Sequence, residues 1–108
     1  MTIAGSACVE IANPKEAIER VFDLLATFCT SRWRDGADYV FNFEVARARV
    51  RPHDGALWLH VQSSDIGTCH GAKVLIQAAV AEVAIDMPEG ILWVEAPCEP
   101  FDAITEHP

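Results

Sequence analysis

His53, His60, Asp65, Cys69 and His70 are the densest run of potential ligands and nucleophiles in this 108-residue chain. Imidazole and thiolate suit zinc or iron, and a strand followed by a helix start can bring such groups together. Spacing argues the other way. Cys69 and His70 are adjacent, so on a helix they point about 100° apart, and no second pair stands at ligand spacing. Surface histidines and a half-buried thiol explain the same residues. Cys69 near a helix N-terminus is also a candidate nucleophile, with His70 or His60 as base. A small residue packed in the first turn is the plainer account. Gly67 to Lys73 loosely resembles a phosphate loop, but Val74 replaces the Ser or Thr that would hold magnesium, which excludes an NTPase and leaves a weaker anion site aided by Lys73.

Arg47, Arg49 and Arg51 give a sharper candidate. With Trp58 and His60 they form a basic, aromatic strip that could bind a carboxylate or phosphate, an acidic peptide, or an acidic tail of a partner subunit. A solvated strand face whose arginine stems cover tryptophan explains the same pattern, and on sequence alone it outweighs the site. The carboxylates are scattered, so no acid–base pair of the glycosidase type emerges and no catalytic residue is assigned.

A meander from Asp38 to Gln62 must position this strip. Tyr39, Phe41, Phe43 and Val45 alternate with polar or smaller residues; then the phase slips, and Ala46, Ala48 and Val50 become the apolar set. A bulge, bend or break near Val45 and Ala46 must switch faces. Pro52-His53-Asp54-Gly55 reads as a four-residue loop closed by Arg51 and Ala56. That register sets Val50 opposite Leu57, Ala48 opposite Leu59 and Ala46 opposite Val61. On the other face it sets Arg49 opposite Trp58, as a cation–π pair, and Arg47 opposite His60, with Arg51 at the rim.

Around the meander, Ala7 to Ala12 reads as a short strand. Asn13-Pro14-Lys15-Glu16 opens a helix, with Asn13 as N-cap and Pro14 in the first helical position. Apolar residues from Ile18 to Cys29 recur at helical spacing, and the helix is expected to end near Ser31 or Trp33, with Asp35-Gly36 as a following turn. Ser63-Ser64-Asp65 supplies caps for a second helix reaching about Ala84, apolar nearly all round and therefore buried on two sides or shared with a second subunit. Met87 to Gly90 reads as a turn, Ile91 to Glu95 as a last strand, and residues 97–108 as a weakly ordered acidic, Pro-containing tail with Phe101 a candidate anchor.

Composition narrows the function classes. The chain carries 16 acids against 8 bases, a formal charge of −8, which argues against nucleic acid and against anionic membrane. No run approaches the roughly 18 apolar residues of a membrane span, and no secretory leader is recognisable. Cys8, Cys29, Cys69 and Cys98 are widely spaced, which predicts reduced thiols in a cytoplasm. No cofactor motif is present.

The A-C-V-E-I strand before the N-P-K-E helix, the aromatic meander, the apolar second helix and the L-W-V close together resemble a family of small bacterial domains of unknown function. The match covers roughly residues 7 to 95. Some members of that family lie beside or are fused to siderophore-interacting proteins, so the resemblance implies a role near iron handling. The family often carries a His-Trp pair after the first helix, where this chain has Cys29-Thr30-Ser31-Arg32-Trp33. The family has no established catalytic residues to carry over.

The expectation is one α+β domain over residues 1–96: a two-layer sandwich with a mainly antiparallel sheet of four to five strands and two helices on one face, in the order β-α-β-β-(β)-α-β. Its expected role is a cytoplasmic, homodimeric binding module for an anionic ligand or protein partner. The alternative is a small enzyme or metal-handling protein using Cys69, His70 and His60.

Overall fold

The computed structural model describes residues 2–83, 91 and 93–95. Eight elements follow one another: β1 (Ile3–Glu10), α1 (Pro14–Leu24), β2 (Ser31–Asp35), β3 (Asp38–Asn42), β4 (Ala46–His53), β5 (Ala56–Ser63), α2 (Ile66–Val83) and β6 (Val94–Glu95). Among the described residues the strands form one six-stranded antiparallel sheet in the order β2-β3-β4-β5-β1-β6. Both helices cover the same face. This is the expected α+β sandwich with one more strand than the upper count. The expected turn at Met87 to Gly90 and the tail from residue 97 lie outside the described residues.

The extra strand is β2. The first helix is expected to end near Ser31 or Trp33 with a turn at Asp35-Gly36, but α1 stops at Leu24 and the Arg-Trp-Arg alternation is a strand paired with β3. Cationic side chains disguise its period. Arg32 and Arg34 lie on the helix side of the sheet with their guanidinium carbons 4.2 Å from the Phe22 ring centroid and 4.6 Å from that of Tyr39. Arginine there covers aromatic surface while its charge stays in water. Asp35 and Asp38 flank a two-residue turn that starts at Gly36, whose φ of 63° suits a residue without a Cβ.

The phase slip at Val45 and Ala46 is a chain reversal. Glu44 takes φ 80°, the Val45 N–H donates to the Phe43 carbonyl at 3.0 Å, and the Phe43 N–H donates to the Ala46 carbonyl at 2.8 Å. Inward positions therefore pass from odd numbers in β3 to even numbers in β4. At the next reversal the expected register was two residues out. Asp54 and Gly55 have φ 54° and 74°, a two-residue type I′ turn, so β4 continues through His53 and places Val50 opposite Leu59, Ala48 opposite Val61 and Ala46 opposite Ser63. Pro52 fits within the strand because β4's pairing with β3 stops at Val50, leaving that edge without a partner that needs its missing N–H. A shift of two preserves every facing.

Ile18, Val21 and Leu25 of the α1 segment, and Cys69, Ala72, Ile76, Ala79 and Val80 of α2, pack on Ala7, Val9, Tyr39, Phe41, Ala48, Val50, Leu57, Leu59 and Val61. Thus α2 is buried on one side, against the sheet and α1, while Ile66 and Val74 are exposed. Asn13 begins α1 differently from expectation. It sits in the left-handed region at φ 56° and its side chain caps nothing; its carbonyl accepts from Ala17 N–H at 3.0 Å.

The cap of α2 resolves onto Asp65, whose Oδ2 accepts from the Thr68 N–H and hydroxyl, each at 2.8 Å. Those bonds, the backbone one foremost, hold its carboxyl below the usual carboxylate range. The sign follows from linkage: the cap adds stability above the ordinary carboxylate pKa near 4, and that stability is lost as pH falls through the lowered folded value. Asp65→Ala should lower the Tm at neutral pH and flatten the acid limb of the Tm–pH curve below about pH 4. A variant with an unchanged acid limb would show that the cap does not contribute.

Candidate functional site

The sheet face away from the helices carries the arginine strip. Register sets Arg51 opposite Trp58, Arg49 opposite His60 and Arg47 opposite Gln62, and alternation along β4 and β5 puts all six side chains on this face. Arg47, Arg49, Arg51, Trp58 and His60 therefore share one surface, as the sequence suggested. The expected Arg49 to Trp58 and Arg47 to His60 pairings are not formed, because each arginine is displaced by two positions along β5. The cation–π contact that does form on this face places Arg47 over Trp33, 5.5 Å from the ring centroid.

Two of the three arginines are already committed. Asp38, at the start of β3, is 4% exposed and accepts from Arg51 Nε at 2.5 Å, from Arg51 Nη2 at 3.2 Å and from Arg49 Nη1 at 3.0 Å. Arg49 Nη1 also donates to Asp35 at 3.1 Å. Among the described residues, two guanidinium groups and two carboxylates form one network across β2, β3 and β4. The bidentate Arg51 contact is the geometry that fixes both partners most firmly. Arg47 differs: it is exposed and has no ion pair among the described residues.

Beside the network, His60 is buried at 2% exposure. Trp58 Nε1 and Gln62 Oε1 flank it on β5 and are buried without a hydrogen-bond partner among the described residues. One is a donor and the other an acceptor, about 13 Å apart along the strand at ~3.4 Å per residue. Groups of this kind cost about 1–3 kcal/mol each when left unmade. No sequence pattern singles out Asp35, Asp38 or Gln62. Asp38 looked like one more polar residue on an alternating strand, and only the pairing of β3 with β4 brings it beneath two arginines.

The alternative cluster is not brought together. Cys69 is 2% exposed within the core between α2 and the sheet, His60 is on the opposite face of the sheet, and His70 is exposed on α2. His53 is beside the β4–β5 turn, at the other end of β5 from Asp65. The structure therefore does not bring together the expected metal or nucleophile set of His60, Cys69 and His70. Consecutive positions on α2 diverge, and the sheet separates the remaining pair. Among the described residues no group of three or more His, Cys, Asp or Glu could hold a metal ion. Cys8 and Cys29 are free thiols whose pKa values are raised, chiefly by burial, which disfavours the thiolate a nucleophile requires.

No protein-family model, curated protein or solved structure matches this chain. No described helix is long and apolar enough to cross a membrane.

Proposed function

We propose that this protein is a binding module that receives an anionic group on the sheet face away from the helices, with Arg47 as its contact. The observation that carries this reading is the difference among the three arginines. Arg49 and Arg51 are neutralised by Asp35 and Asp38, whereas Arg47 stacks on Trp33 and keeps its N–H donors available. A stacked guanidinium is pre-oriented for a carboxylate or phosphate. A link to iron and siderophore handling in a bacterial cytoplasm, drawn from the family resemblance, belongs to the same proposal, and so does a homodimer formed through the exposed Ile66 and Val74 side of α2.

The test is a thermal-shift series with citrate, inorganic phosphate, a ferric catecholate and a glutamate-rich peptide. At least one should raise the Tm of the unaltered protein. Arg47→Ala should remove most of that shift, and Cys69→Ala should leave it in place. A shift that survives Arg47→Ala but disappears with Cys69→Ala would reverse the assignment. Sedimentation velocity on the same samples decides the dimer, since a monomer throughout the micromolar range would remove it.

A further inference from the structure

A second interaction surface lies on the sheet's edge, and it shares Trp33 with the face just described. β2 is the terminal strand of the sheet, and no strand among the described residues pairs with its outer side. Every second residue of such a strand turns an N–H and a C=O outward, a template for one more strand. From Ser31 to Asp35 only Arg32 is even half-buried.

The side chains along that edge alternate in a chemically specific way. Arg32 and Arg34 stand on the helix side, two residues and about 7 Å apart, and Trp33, 38% exposed, stands on the other. Neither arginine is firmly committed. Arg32 lies 3.9 Å from Asp23 and Arg34 lies 3.9 Å from Glu19, and both acids are well exposed. Exposed pairs of this length hold weakly. Phe22 and Tyr39 hold the two guanidinium groups by their faces, which leaves the in-plane N–H donors for a ligand.

We propose that the free edge of β2 docks an extended acidic segment of a protein partner by β-strand addition, reading the pattern acidic–apolar–acidic. Carboxylates at alternate positions of an extended peptide repeat at the same ~7 Å as Arg32 and Arg34, and the side chain between them meets Trp33. A second copy of this chain fits badly. Antiparallel pairing of two β2 strands about Trp33 sets Arg32 of one copy opposite Arg34 of the other, and like charges directly opposed are unfavourable. The net charge of −8 does not decide against an acidic partner. At physiological salt the Debye length is about 8 Å, so the two arginines in contact outweigh acids farther away.

Fluorescence anisotropy with a labelled alternating Glu-Leu peptide tests the proposal on the unaltered protein, beside a Lys-Leu peptide of equal length and a Glu-Leu peptide N-methylated at alternate amides. The Glu-Leu peptide should bind, and the Lys-Leu peptide should bind at least about tenfold more weakly. The N-methylated peptide should lose a similar factor, because strand addition needs those N–H groups. Arg32→Glu/Arg34→Glu, checked for folding by circular dichroism, should abolish the preference for acid. Equal binding of the methylated peptide would overturn strand addition. Absence of Glu-Leu binding up to millimolar concentration would overturn the proposal outright, as would displacement of the peptide by self-association at this edge.

Discussion

Asp38→Ala is expected to destabilise the protein by about 3–5 kcal/mol, the cost of removing one partner from a buried ion pair. The Asp38 side chain is 6% exposed, and those of Arg49 and Arg51 are 23% and 19% exposed. Removing the acid leaves two guanidinium groups beside one another, with Asp35 the remaining carboxylate among the described residues and itself 60% exposed. Repulsion between the arginines then adds to the lost bonds. In a domain of this size the change corresponds to a fall in Tm of more than about 10 °C. A double-mutant cycle separates this from simple loss of packing. Arg51→Met should cost less than Asp38→Ala, and Asp38→Ala/Arg51→Met less than the sum of the two, because the Arg51–Asp38 bonds are lost only once in the double variant. Strict additivity in urea denaturation would sink the claim that the network is coupled.

Phe41→Ala should be comparably severe, at about 3–5 kcal/mol. Phe41 has no exposed surface, and its ring lies 5.6 Å from that of Phe22 and 6.4 Å from that of Phe43. Phe22 in turn meets Tyr39 edge-on at 5.4 Å, so one cluster ties α1 to β3. Truncation opens a cavity where α1 crosses the sheet. Phe41→Leu keeps most of the volume and should cost less than about 1.5 kcal/mol. Domains of this kind are stable by only about 5–15 kcal/mol, so the alanine variant should lie near its unfolding threshold at body temperature. Urea midpoints for the two variants check this, and similar midpoints for Ala and Leu would mean that the aromatic cluster is not a principal tie between helix and sheet.

Much of the architecture is legible in the residues. Asn13-Pro14 fixes where α1 begins, because proline suits the first helical turn and asparagine tolerates the left-handed conformation that precedes it. The change of apolar phase after Val45 marks a real reversal of the chain. Alternation in β4 and β5 places Arg47, Arg49, Arg51, Trp58 and His60 together even with the register two residues out, because side-chain parity has a period of two. Three features are not legible. β2 is hidden because arginine, usually a solvent residue, lies over Phe22 and Tyr39 and breaks the apolar alternation by which strands are recognised.

The length of the β4–β5 turn is hidden because Pro52 reads as a breaker until the neighbouring strand is known to have ended. Asp38 is the third, and it matters most for the site. Sequence alone determined which side chains share the sheet's outer face, since alternation is a property of the strand itself. Only the tertiary structure decided which of the three arginines pairs with a carboxylate among the described residues, since that depends on which acid a different strand delivers beneath them.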